Sequence, residues 1–210
     1  MDLSQLQAVL LDMDGTLVDS DAAVERSWRT WAAEYPVDPG RGPLIAHGLP
    51  ALANVRRLRP DLSEEEAAAA AQYQLELEYV DVADITAAPG AHELLAELDR
   101  LSLPWAVVTS ADPPLARTRL AAAGIRPALL VTIDDVRAGK PDPEGYLLAA
   151  RKLGADPRRC LVVEDAEAGV KAGQSAGAVV AALRGVPADI QIAGLHELTS
   201  LLRQAENPRA

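Results

Sequence analysis

Near the start of the chain an apolar run, Val9-Leu10-Leu11, stops on the carboxylate of Asp12, and Asp14 adds a second acid two residues later. Gly15 and Thr16 follow, a pair suited to a tight turn whose backbone N–H groups can face an anion. Two carboxylates this close cannot both ionise freely without a counter-ion or a shared proton. A hard divalent cation such as Mg²⁺ is the obvious counter-ion. Taken alone, the same residues read equally as a solvated Asp-rich turn. An EF-hand loop fits poorly, because its glycine stands at the sixth loop position and Gly15 would be the fourth.

Three later stretches carry groups of matching chemistry. Val107-Val108 ends on Thr109-Ser110, hydroxyls ahead of Pro113 that suit either an anion or a helix cap. Gly139-Lys140-Pro141-Asp142-Pro143-Glu144 places a lysine just before a helix. Lys140, Lys152 and Lys171 are the only lysines, and a solvated role suffices for the latter two. An exposed loop lysine is the alternative reading of Lys140. Leu161-Val162-Val163 ends on Glu164-Asp165, with Gly169 and Gly173 in the helix that follows. Acids at the end of an apolar strand are costly unless paired, so a cation is again implied.

The elements that must position these groups alternate. Strand-like runs at 9–11, 104–109, 128–132, 160–164 and 178–183 are separated by helical patterns at about 91–101, 113–123, 143–153 and 168–176, with a last helix at 195–204. That alternation predicts a parallel sheet covered on both faces, and ligands of such sheets sit at the carboxyl ends of the strands. One stretch breaks the pattern. Ala22, Val24, Trp28, Trp31, Ala32 and Tyr35 recur at helical spacing, Pro50 starts a second helix as its first residue, and Ser63 with Glu66 forms a capping box for an alanine-rich third. We read 18–87 as a helical cap domain inserted into a sheet domain made of 1–17 and 88–210. The helical spacing of Trp28 and Trp31 points to packing within that cap.

Composition narrows the partners. A net charge of −11 without any Lys/Arg cluster argues against nucleic-acid and anionic-membrane partners, so an anionic ligand would need a small local positive site. The lone Cys160 precludes an internal disulfide and reads as a buried strand thiol. No run approaches the roughly 20 apolar residues of a membrane span. The expectation is a cytoplasmic monomer.

In this order, strand then Asp-x-Asp-Gly-Thr, strand then Thr/Ser, Lys-Pro before a helix, and strand then Glu-Asp resemble the haloacid dehalogenase superfamily along the whole chain. The inserted helical segment is similar to the cap of subfamily I, which includes β-phosphoglucomutase and phosphoglycolate phosphatase. Pro89-Gly90-Ala91, Trp105 to Ser110, Val131-Thr132 with Asp135-Val136, Gly139 to Glu144 with Tyr146-Leu147, Val163 to Ala166 with Ala168-Gly169-Val170, and the cap pair His47-Gly48 are similar to sugar-phosphate and glycerol-phosphate phosphatases of that group. The resemblance implies a Rossmann-like α/β fold, a parallel sheet flanked by helices with an inserted α-helical cap.

It also implies roles. Asp12 would be the nucleophile that forms an aspartyl-phosphate, and Asp14 the acid and base for the leaving alcohol and the attacking water. Mg²⁺ would bind the Asp12 carboxylate, the Asp14 backbone carbonyl and Asp165, with Glu164 in or near the second shell. Thr109, Lys140 and the backbone N–H groups of Gly15, Thr16 and Ser110 would hold the phosphoryl oxygens. Dehalogenases of this superfamily lack the second aspartate, so Asp14 argues for an oxygen leaving group. A non-catalytic relative would have lost Asp12, Lys140 or Asp165, and all are present.

The expected substrate is a small phosphorylated metabolite, a sugar, polyol or glycerol phosphate. Phosphoglycolate hydrolysis and a β-phosphoglucomutase-like phosphomutase reaction are the alternatives. Mutase-like caps carry a basic residue three positions after the cap glycine, whereas Gly48 is followed by Leu49, Pro50 and Ala51. Leu49-Pro50 is similar instead to some phosphoglycolate phosphatases. His47 is the cap residue best suited to read the leaving group, with a loop histidine bonded to backbone as the alternative reading; Arg41 in the Pro/Gly-rich loop could also reach the site, but a solvated arginine is its default reading.

Overall fold

β1 (Ala8–Leu11) is buried along its whole length, as a strand must be when neighbours pair both edges and helices cover both faces. The computed structural model describes residues 3–38, 40 and 46–206; Arg41 lies outside them. Besides β1 they form β2 (Val18–Asp19), β3 (Thr86–Ala87), β4 (Trp105–Val108), β5 (Leu130–Val131), β6 (Cys160–Glu164), β7 (Val179–Ala182) and β8 (Ile190–Gln191). Six of these make one sheet in the order β5-β4-β1-β6-β7-β8, with every pairing parallel. This is the doubly wound α/β arrangement that the alternation predicts.

The two-residue period of β1 divides the interior. Val9 and Leu11 pack with residues of α4 (Ala91–Arg100), α5 (Pro113–Ala122) and α8 (Leu195–Glu206), among them Leu94, Leu115 and Leu198. Ala8 and Leu10 face α6 (Glu144–Leu153) and α7 (Glu167–Ser175), meeting Tyr146, Ala149 and Val170. Cys160 belongs to the second layer, where burial pushes its thiol up to about 11. The strand-thiol reading of Cys160 therefore matches its surroundings.

Between β2 and β3 run α1 (Asp21–Glu34), α2 (Ala51–Leu58) and α3 (Glu64–Val80). They share a separate apolar cluster of Trp28, Trp31, Val55, Leu58, Ala67, Ala70 and Ala71. Trp31 is fully buried and donates its indole N–H to the Ala70 carbonyl at 2.9 Å, while Trp28 meets it edge-on at a centroid distance of 5.2 Å. The expected capping box opens α3, with Ser63 N–H donating to Glu66 and Glu66 N–H to the Ser63 hydroxyl. Pro50 is the cap of α2, one residue before its expected place as first helical residue.

Two features go beyond the pattern. β2 and β3 pair antiparallel as a short ribbon where the chain leaves and re-enters the sheet region, and β8 adds a sixth strand at the sheet edge. No helix among the described residues is long and apolar enough to cross a membrane. Register sets the site. Leu11 stands opposite Val163 on β6 and Val107 on β4, so Asp12, Glu164, Asp165 and Thr109 all emerge at one end of the sheet.

Candidate active site

Asp12 is nearly buried where β1 ends, its N–H donating to the Val163 carbonyl at 3.0 Å. Lys140 reaches it from the loop before α6. That lysine is 6 % exposed, not the solvated loop residue of the alternative reading. Its Nζ donates to Asp12 Oδ1, to Glu164 Oε1 at 2.6 Å and to the Val108 carbonyl at 3.0 Å. Three acceptors fill the three donors of an ammonium group. Burial by itself would lower the Lys140 pKa, but Asp12 and Glu164 outweigh it and hold the amine protonated above its ordinary range. Burial and then the Glu164 charge raise Asp12 well above the usual carboxylate range, and Lys140 only partly opposes them.

Glu164 has no exposed surface. The Tyr146 hydroxyl donates to its Oε1 at 2.6 Å, and the Asp165 N–H to its Oε2 at 3.1 Å. Burial and the Glu164 charge push the Tyr146 phenol well above its usual range, so it remains a donor. The space for this carboxyl exists because residue 169 of α7 is glycine: a Cβ there would fall inside the Glu164 carboxyl group. Gly169→Ala is expected to destabilise the protein by about 1–3 kcal/mol, the range for overpacking a filled core. A thermal melt unchanged from the parent would contradict that reading of Gly169.

Asp165 completes a group of three carboxylates. Asp12, Glu164 and Asp165 each offer an oxygen within 4.8 Å of the others, and all three residues are buried. Burial and the Glu164 charge push Asp165 up to about 7, with Arg184 and Lys140 opposing. Its Oδ2 is buried without a hydrogen bond; Arg184 Nε lies 3.1 Å away as an ion-pair partner but not in hydrogen-bond alignment. Gly15 adopts φ +80°, and a Cβ on it would collide with the Asp165 carboxyl. Arg184 also pairs with Asp21, the first residue of α1, at 2.8 Å. The donor set is all oxygen, short of positive charge and holds an orphaned acceptor, which fits a hard divalent cation.

Asp14 points elsewhere. Its carboxyl lies outside that trio, accepting from the Ser20 hydroxyl at 2.7 Å and pairing with Arg119 at 2.9 Å. Asp12 and Asp14 nonetheless line one cavity of about 90 Å³, together with Thr109, Ser110, Arg119 and, from the helical segment, His47, Ala51, Asn54, Gln74 and Glu78. Thr109 is buried at the end of β4, its Oγ1 accepting from the Ala111 N–H at 3.1 Å. The Ser110 hydroxyl donates across to the Gly48 carbonyl at 2.8 Å, tying the end of β4 to the opposite loop. His47 is exposed at the mouth, and Asn54 clamps the backbone beside it through both the N–H and the carbonyl of Ala46.

The N–H groups of Gly15 and Thr16 do not serve as expected. Gly15 N–H donates to the Val18 carbonyl at 2.8 Å and Thr16 N–H to the Met13 carbonyl at 3.3 Å. The turn consumes them, because the chain must close on itself to start β2 directly after the motif. The turn's hydrogen bonds use neither Met13 nor Asp14 as a donor.

Comparison with known proteins decides the family. Residues 6–177 match the family described as haloacid dehalogenase-like hydrolase. The chain belongs to that family. Among curated haloacid dehalogenase-like relatives, hexitol phosphatase A of Escherichia coli (strain K12) is 44 % identical over 86 % of this chain and 83 % of its own length. The 2-deoxyglucose-6-phosphate phosphatase 1 of Saccharomyces cerevisiae is 34 % identical over 81 % of this chain and 76 % of its own. Among solved structures, β-phosphoglucomutase from Clostridium difficile superposes with a TM-score of 0.83 at 21 % identity, covering 97 % of this chain and 98 % of that one, a likeness of fold.

Three residues of this haloacid dehalogenase-like hydrolase escaped the sequence reading. Tyr146 enters the resemblance through the pair Tyr146-Leu147, but nothing in its neighbourhood announces its bond to Glu164. Arg184 follows β7 with a left-handed φ of 57°, which its sequence neighbourhood does not announce. Arg119 carried a faint signal: it lies four residues after Leu115 and three after Ala116, both buried, and so on their face of α5.

Proposed function

We propose that this haloacid dehalogenase-like hydrolase, a phosphoric monoester hydrolase, removes phosphate from a small phosphorylated sugar or polyol through an aspartyl-phosphate on Asp12. The observation that carries the reading is the pairing of Asp12, held by Lys140 beside two further carboxylates, with Asp14 facing the same cavity from a separate hydrogen-bonded seat. A carboxylate nucleophile and a separate acid/base are the two groups that displacement at a phosphate ester requires.

An Asp12 carboxylate oxygen attacks phosphorus, the bond from phosphorus to the alkyl oxygen breaks, and Asp14 delivers a proton to the departing oxygen. Water then attacks the phosphorus, Asp14 accepts its proton, and the bond to Asp12 breaks to release inorganic phosphate. In this scheme Thr109, the N–H groups of Met13, Asp14 and Ser110, and Lys140, once it exchanges one of its three acceptors, would hold the phosphoryl oxygens. Asp12 and Asp165, with the Asp14 backbone carbonyl, would hold Mg²⁺, and Glu164 would stand beside them on Lys140 and Tyr146. When bound, the cation supplies charge stabilisation to the phosphoryl group. We place the reaction in the cytoplasm, where an ionic ester cannot escape across a bilayer.

The helical segment acts as the cap. The named activities of the curated relatives support a polyol or sugar ester, and Ala51 bears on the mutase alternative. It lines the cavity at the position where a mutase-like cap would offer a cation for a second phosphate. Incubation with Mg²⁺ and a panel of hexitol, hexose, glycerol and glycolate phosphates should release phosphate from the polyol or sugar esters. Chelation should abolish that release and added Mg²⁺ restore it. An isomerised sugar phosphate with no phosphate released would sink the phosphatase reading.

A further inference from the structure

Arg119 joins the two halves of the site. It is 2 % exposed on α5, yet its guanidinium ends on two carboxylates from different parts of the chain. Nη1 lies 2.9 Å from Asp14 Oδ2 just beyond the end of β1, and Nη2 lies 2.9 Å from Glu78 Oε2 on α3 of the cap. Glu78 is buried too, and its Oε1 accepts from the Gln74 amide at 2.5 Å; that amide also reaches the Ser27 hydroxyl on α1 at 3.2 Å. Asp14 is held from the other side by Ser20. A planar guanidinium fork fixes direction as well as charge. With one end on the cap, its placement depends on where the cap lies.

We propose that Arg119 is a positioning residue that couples cap closure to the orientation of Asp14. With the cap closed, Glu78 and Asp14 anchor the guanidinium at both ends, and Asp14 is held between Arg119 and Ser20 at the cavity wall. Withdrawal of the cap removes Glu78 and leaves the guanidinium with one anchor, so Asp14 loses its fixed direction. Proton delivery is thereby confined to the closed state. The inference rests on the reading of Asp14 as the acid/base.

The test uses full-length Arg119→Met, Arg119→Lys and Glu78→Gln, with Asp14→Asn as reference. Leaving-group release is followed in the first turnover on phosphate monoesters, from nitrophenyl phosphate, which needs little protonation, to alkyl phosphates, which need it. Asp14→Asn should slow alkyl esters by at least about 100-fold more than nitrophenyl phosphate, the scale of general acid catalysis. Arg119→Met should show the same selective loss of roughly 10-fold or more, and Arg119→Lys likewise, since lysine keeps the charge without the fork. Glu78→Gln should give a smaller loss of the same kind that vanishes in the Arg119→Met background. Should Arg119→Met fail to fold, Arg119→Lys and Glu78→Gln carry the same test. Equal slowing of all esters, or no slowing, overturns the coupling while Asp14→Asn remains selective. No selectivity in Asp14→Asn itself would overturn the acid/base reading instead.

Discussion

Asp12→Asn is expected to abolish turnover, a loss on the order of 10⁴-fold or more as for other nucleophile deletions, while the fold stays intact. The amide keeps the size of the carboxyl and an oxygen that Lys140 can still meet, but it cannot attack phosphorus. Stability should be unchanged or raised. In the parent, Asp12 is a buried acid crowded by Glu164 and Asp165, which destabilise its charged form more than Lys140 relieves it. Removing one negative charge from three eases that repulsion. Steady-state phosphate release, a thermal melt and a rapid acid quench for a phosphoryl adduct would check all parts. Near-full activity would rule out Asp12 as nucleophile.

Lys140→Met should be the most damaging substitution for folding. The ammonium is enclosed by Asp12, Glu164 and the Val108 carbonyl, so its loss leaves two buried acids facing each other. Breaking a buried ion pair from one side costs about 3–5 kcal/mol, or roughly 10 °C of melting temperature in a chain of this size. A cation among the same carboxylates restores part of the missing charge, so the drop should be smaller in Mg²⁺ than in chelator. Activity should fall by about 10²–10³-fold, the scale for losing one charge-stabilising donor. A melt that falls equally with and without Mg²⁺ would argue against a cation at Asp12 and Asp165.

The groups at the strand ends were legible because each is local. A run of Val and Leu that ends on a carboxylate, a hydroxyl or a Glu-Asp pair announces both a buried strand and what its end presents. Parallel pairing then assembles those ends without further information, as the alignment of Leu11 with Val107 and Val163 demonstrates. What stayed hidden depends on contacts between distant segments. Arg119 looks like its neighbour Arg117, which is exposed; only the arrival of Glu78 from α3 gives it a reason to be inside. Gly15 and Thr16 were correctly read as a turn, but the turn's own need for their N–H groups depends on where Val18 and Met13 carbonyls fall. β2, β3 and β8 are two residues each, too short for an alternating pattern to register.

The β2–β3 ribbon has a modular consequence. Val18 and Ala87 are direct partners, so the three helices leave and return through adjacent backbone positions. Excising them and joining the two ends would ask the sheet to bridge only the width of one strand pair. Such an insertion point tolerates exchange of its contents, because the flanking framework closes on itself regardless of what is inserted. A different set of helices grafted between Val18 and Ala87 would bring new leaving-group contacts to an unaltered Asp12 and Lys140. Diversification of the ester cleaved can thus proceed by replacing a cassette, provided each one again supplies the partners that Ser20 and Glu78 give to Asp14 and Arg119.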